Sequence, residues 1–126
     1  MPTSPNISEA EWEVMRVVWD SGEDSITAQQ VVDALSSRTD WSVRTIKTLL
    51  NRLVKKNALG FDEEGKRYRY WAKVTQEQCV RSESRSFLQR VFGGEAAPML
   101  NYFVTHAKLS AEEIAQLKKI LSKKEK

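Results

Sequence analysis

At 126 residues, with 40% hydrophobic and 29% charged residues, the chain can bury one core and keep a well-solvated surface. A single cysteine excludes an internal disulfide and a thiolate metal cluster within one chain, and 5 glycines with 3 prolines argue for a mainly helical protein with few loops. A net charge of +3 names no partner by itself, so any charge argument has to come from its distribution.

The start of the chain, Met1-Pro2-Thr3-Ser4-Pro5, carries neither the basic nor the apolar region of a secretory leader. No apolar run reaches bilayer length. The expectation is a cytoplasmic protein without direct membrane insertion.

Four helix starts share one chemistry. Ser8-x-x-Glu11, Thr27-x-x-Gln30, Thr75-x-x-Gln78 and Ser110-x-x-Glu113 each fit a capping box, in which the hydroxyl accepts from the third amide and the acid or amide reaches back. The first helix is predicted over residues 8–21, with Trp12, Met15, Val18 and Trp19 facing inward and Ala10, Val14 and Val17 widening the stripe. Gly22 stops it. A short extended piece at Ser25-Ile26 precedes a second helix over residues 27–37, which buries Ala28, Val31, Val32 and Leu35. Ser42 caps a third helix whose inward face is Val43, Ile46, Leu49, Leu50, Leu53 and Val54, and Asn57 takes a left-handed conformation where it ends.

The period then changes. Leu59-Gly60-Phe61 and Arg67-Tyr68-Arg69-Tyr70-Trp71 read as two strands of a hairpin joined across residues 62–66. Helices return over residues 75–92, 98–105 and 110–123, with a break at Gly93-Gly94. The expected organisation is a first domain over 1–74 and a helical second domain over 75–126.

Charge follows that order. Residues 1–41 hold 2 basic and 8 acidic side chains, residues 42–73 hold 9 basic and 3 acidic, and residues 74–126 hold 9 basic and 6 acidic. An acidic opening third followed by a concentrated basic block is the footprint of a nucleic-acid face, although solvated helices also carry such runs.

Three helices followed by a hairpin is the order of a winged helix-turn-helix, so the expected fold is mainly α with a small β-hairpin wing and a C-terminal helical module. The third helix then enters the major groove of double-stranded DNA. Arg44 and Lys47 can donate to guanine, Asn51 can pair with adenine, and Thr48 can meet a thymine methyl. Ser42, Thr45, Arg52, Lys55 and Lys56 are expected on the phosphate backbone, which positions without specifying sequence. For Lys66, Arg67 and Arg69 on the wing, two readings stand side by side: phosphate contact, or a solvated hairpin face tempered by Asp62, Glu63 and Glu64.

Catalysis finds no support. The single histidine, His106, has no nucleophile and carboxylate signature around it, and no glycine-rich phosphate loop is present. No cofactor is expected. Cys79 and His106 are the only soft metal candidates, and Cys79 reads more simply as a small helix residue. A helical adaptor whose basic face binds an acidic protein is the competing reading from another class.

The runs Ile7-Ser8-Glu9-Ala10-Glu11-Trp12-Glu13-Val14-Met15, Trp41-Ser42-Val43-Arg44-Thr45-Ile46-Lys47-Thr48-Leu49-Leu50-Asn51-Arg52-Leu53 and Gly65-Lys66-Arg67-Tyr68-Arg69-Tyr70 closely resemble the penicillinase-repressor family. That family includes the BlaI and MecI repressors and the copper-responsive CopY repressors. The likeness continues through Ser86-Phe87-Leu88 and Gly93-Gly94 to Leu109-Ser110, looser than in the third helix.

The resemblance implies a homodimeric repressor on a TACA/TGTA-type inverted repeat, with the C-terminal helices interlocking two subunits. The apolar stripes after Val74 fit this independently, because so small a module offers them little cover. Phe87, Leu88, Val91, Leu100, Phe103, Val104, Leu117 and Leu121 are the dimer candidates, with packing inside one chain as the alternative for each.

BlaI and MecI relatives are released by cleavage at an Asn-Phe bond after a membrane sensor metallopeptidase pathway detects β-lactam. Aligned from Gly93-Gly94, that bond falls on Tyr102-Phe103, with Asn101 one position earlier, so the match is imperfect. Copper-responsive relatives carry a C-terminal cysteine cluster, whereas this sequence finishes Lys123-Lys124-Glu125-Lys126. A copper-responsive repressor lacking that cluster remains the alternative within the family.

Overall fold

The computed structural model describes residues 5–125. The leader reading at Met1 to Ser4, and Lys126 of the tail, lie outside the described residues. The elements run α1 (Glu9–Asp20), β1 (Ile26–Thr27), α2 (Ala28–Ser36), α3 (Val43–Lys55), β2 (Leu59–Glu64), β3 (Arg67–Ala72), α4 (Gln76–Phe92), α5 (Ala96–His106) and α6 (Ala111–Lys124). This is the mainly helical winged helix-turn-helix the sequence order predicts.

The capping chemistry sets the helix starts. All four boxes are formed, Ser8 with Glu11, Thr27 with Gln30, Thr75 with Gln78 and Ser110 with Glu113. Each satisfies two amide donors that the first turn cannot. Gly22 has φ +69°, the left-handed conformation that ends α1.

The sheet has three antiparallel strands in the order β1-β3-β2. The hairpin is in register from Leu59 opposite Ala72 to Glu64 opposite Arg67. Ile26 pairs with Tyr70 and Thr27 with Arg69, so the extended piece before α2 becomes an edge strand. Gly60 sits opposite Trp71 because nothing larger fits there: a Cβ on Gly60 would lie 2.5 Å from the Trp71 ring.

One core joins α1, α2, α3 and the sheet. Val14, Met15, Val31, Leu35, Ile46, Leu50, Leu53 and Leu59 are essentially fully buried. Trp12 and Trp19 are only half-buried, packed edge to face with centroids 5.6 Å apart, and the Trp19 indole N–H donates to the Val74 carbonyl at 3.0 Å. Two expectations need correction. Val43 does not join the buried face but is 48% exposed, because the first turn of α3 projects beyond the core. Glu11, read only as a capping residue, is buried among the apolar side chains.

The chain divides into compact units Met1–Glu83 and Ser84–Lys126. The expected boundary beside Val74 is where the hairpin ends, whereas this division falls inside α4, whose first turns bring Cys79 into the N-terminal core. In the second unit, α5 and α6 contain no buried residue. Gly93 and Gly94, at φ +61° and +88°, make the turn between α4 and α5. Among the described residues, no helix is long and apolar enough to cross a membrane.

Candidate nucleic-acid interface

The expected reading helix is amphipathic in the sense the sequence requires. Ile46, Leu49, Leu50 and Leu53 face the core, while Arg44, Lys47, Thr48, Asn51, Arg52 and Lys55 are exposed. The helix is about 20 Å long, enough to lie across a major groove. Its start is firmly held. Ser42 Oγ accepts from the Thr45 amide at 3.1 Å and donates to Thr45 Oγ1 at 3.1 Å, which leaves the Thr45 hydroxyl proton free to donate outward. Thr48 Oγ1 donates to the Arg44 carbonyl at 3.0 Å, so the hydroxyl proton is spent inside the helix while the methyl remains for apolar contact.

The turn before α3 is equally constrained. Thr39 Oγ1 donates to the Leu35 carbonyl at 3.0 Å and accepts from the Trp41 amide at 3.3 Å. At the far end Lys56 closes the helix and Asn57 adopts φ +63°. The Asn57 amide bonds the Val54 carbonyl and the Ala58 amide bonds the Leu53 carbonyl, both at 3.0 Å, which is a Schellman turn leading straight into β2.

That joint brings helix and wing together. A concavity of about 700 Å³ is lined by the start of α2, by Lys47 and Asn51 of α3, and by Lys66 to Tyr70 of the wing. Lys47, Asn51, Lys66, Arg67 and Arg69 therefore share one surface, while Arg44, Thr48, Arg52 and Lys55 lie elsewhere on α3. Sequence reading missed the contribution of α2. Its amino end, with Thr27, Ala28, Gln29 and Gln30, lines the same concavity and offers the positive end of a helix dipole. The capping box at Thr27 was the available signal.

Two expected phosphate contacts have other commitments. Lys56 Nζ lies 2.5 Å from Glu11 Oε1 and 2.8 Å from the Asn6 carbonyl, so its charge balances a buried carboxylate. Burial pushes the Glu11 carboxyl upward, but hydrogen bonds from Lys56 and Ser8, together with the Lys56 charge, hold it below the usual range. Arg69 pairs with Glu64 at 2.8 Å and reaches Ser25 at 3.3 Å, bracing the wing against the lead-in to β1. Among the described residues Arg44, Lys47, Arg52, Lys55, Lys66 and Arg67 have no ion-pair partner. Of these, Lys47, Lys66 and Arg67 line the concavity, and Arg44, Arg52 and Lys55 carry unneutralised charge along the rest of α3.

Tyr70 is buried beside this surface. Burial, with Tyr68 adding to it, pushes its phenol above the ordinary value, so it stays neutral. Cys79 is buried, which raises its thiol and disfavours the thiolate a metal would need. His106 is exposed on α5, its ring 4.3 Å from that of Tyr102.

The sequence pattern of the family described as Penicillinase repressor matches residues 7–123. The chain belongs to this penicillinase repressor family. Its members are transcriptional repressors, not enzymes. A penicillinase repressor of Bacillus licheniformis is 39% identical over 121 residues, covering 96% of this chain and 93% of the relative. The methicillin resistance regulatory protein MecI of Staphylococcus aureus is 34% identical over 118 residues, covering 94% of each. Among solved structures, the monomeric form of B. licheniformis BlaI in complex with the blaP half-operator aligns with TM-score 0.53 and 38% identity, over 62% of this chain and 93% of that one. The family assignment agrees with the winged-helix architecture and with the sequence resemblance.

Proposed function

We propose that this member of the penicillinase repressor family is a homodimeric, sequence-specific repressor in the cytoplasm that binds double-stranded operator DNA. The observation that carries the reading is the shared surface of α3 and the wing, where Lys47 and Asn51 meet Lys66 and Arg67 without neutralising partners. The relative held on a half-operator supports the same mode of binding. Arg44, Lys47, Thr48 and Asn51 read base edges, and Ser42, Thr45, Arg52, Lys55, Lys66 and Arg67 hold the backbone. Lys56 and Arg69 instead support the helix and the wing through Glu11 and Glu64.

The dimer reading rests on the C-terminal unit. Val91, Leu100, Phe103, Val104 and Leu121 are each 44% or more exposed, and Phe87, Leu88 and Leu117 are only half-buried. So much uncovered apolar surface favours a second copy of the chain. A two-fold dimer in turn demands an inverted-repeat operator, of TACA/TGTA type in the family it resembles.

Release is proposed to follow proteolysis near Asn101, Tyr102 and Phe103, through a membrane sensor metallopeptidase pathway. These residues are exposed but lie inside α5, with Asn101 Oδ1 accepting from Thr105 Oγ1 at 3.1 Å, so that turn has to open before a protease can take it as an extended substrate. The burial of Cys79 gives the copper-responsive alternative no support.

The deciding experiment is competition between an inverted-repeat duplex and a scrambled duplex of equal length and charge. Preference for the repeat is expected. Equal affinities would return the basic face to the adaptor reading.

A further inference from the structure

We propose that the cleft beside the amino end of α1 binds an organic cation with an aromatic or apolar body. The cleft has a volume of about 530 Å³ and lies within the N-terminal unit. That size is in the range of small-molecule sites, about 300–1,000 Å³. Its lining includes Trp12 of α1 and Trp41 of the connection to α3, with Glu9 and Glu13 of α1, Glu83 of α4 and one cation, Arg16.

Both indoles pack on the core and remain half-buried, so they present rigid aromatic surface at little further cost in side-chain order. Among the described residues none of the three carboxylates has an ion-pair partner, and neither has Arg16. The cleft is therefore net negative. An anionic ligand is repelled, and a neutral one leaves that field unused. No group of three or more acidic, histidine or cysteine side chains among the described residues is gathered closely enough to hold a metal ion. A bulky cation uses both features, its charge meeting the aromatic faces and the carboxylates while its body covers the indoles.

Trp41 immediately precedes Ser42, the cap of α3, so an occupant touches the residue leading into the proposed reading helix. That regulatory consequence rests on the DNA-binding reading, while the site itself does not.

The test uses the full, isotope-labelled chain without DNA, so a failed operator assay and a failed binding assay remain distinguishable. Tetraphenylphosphonium is the probe, and tetraphenylborate, of the same shape and opposite charge, is its control. The indole N–H signals of Trp12 and Trp41 are expected to shift saturably with the cation, while that of Trp71, packed on Gly60 in the wing, stays in place. Glu13→Gln and Glu83→Gln should each weaken binding about two- to fivefold. No response, a parallel shift of all four tryptophans, or an equal response to the borate would overturn the proposal. So would Trp12 and Trp41 signals that move with protein concentration alone, since a second copy would then cover the cleft.

Discussion

The two units of this repressor answer the same folding problem in opposite ways. In the N-terminal unit three helices and a sheet enclose a core whose central side chains, such as Met15, Leu35, Ile46 and Leu50, have essentially no exposure. In the C-terminal unit α5 and α6 are capped and well formed, yet neither contains a buried residue. Helices so short are marginal without packing, so local chemistry alone does not hold α5 and α6. The first unit encloses its own core, whereas the second packs only a small aromatic group, Phe87 with Phe92 and Phe103, and on the proposed dimer reading a second copy completes it.

That contrast is sharpest in paired truncations. Leu50→Ala should cost about 2–5 kcal/mol at any protein concentration, because the cavity lies inside one chain. Leu121→Ala should change the unfolding of the monomer little and act on dimerisation, so its effect should depend on concentration. Urea unfolding at two concentrations, with sedimentation analysis, checks both. A concentration-independent loss in Leu121→Ala would mean that the second unit has a private core.

Within the first unit, reading and positioning can be separated. Arg44→Ala should cost about 1–3 kcal/mol of operator affinity and relax the sequence preference. Lys55→Ala should weaken all duplexes alike and lower the dependence on salt. Gel-shift titrations at several salt concentrations distinguish them.

Lys56→Met tests the internal role given to that lysine. It should cost about 1–3 kcal/mol of stability by leaving the Glu11 carboxylate buried without its cation. The sign of the pH effect follows from the lowered Glu11 value: the stabilisation is present above the unfolded carboxyl's pKa and is lost as pH falls through the folded one. Acid unfolding of the variant should show less of that loss. The smallest effect is expected from Ser110→Ala, about 0.5–2 kcal/mol through loss of the α6 cap, read as fraying in hydrogen exchange.

How much of this was legible beforehand depended on range along the chain. Capping boxes, the left-handed Asn57 and the strand period are decided by neighbours in sequence, and all were readable. The partner of Glu11 was not, because Lys56 lies in a different element and nothing in the pattern around Ser8 points to it. The same holds for β1, whose two residues become a strand only when Tyr70 and Arg69 arrive beside them. Val43 failed for another reason: an apolar period can be extrapolated one turn past the core it faces. In the candidate interface, the composition of α3 was visible from its spacing, whereas which cations were already neutralised required coordinates.

The turn at Asn57 has one further consequence. The joint between α3 and β2 is short and closed by the Asn57 and Ala58 hydrogen bonds, so the direction in which the hairpin leaves the helix is fixed there. On the proposed DNA-binding reading, the phase between α3 in one groove and Lys66 and Arg67 beside it is then set by the left-handed conformation of Asn57. A residue inserted at that joint would rotate the hairpin against the helix while leaving every contacting side chain unchanged.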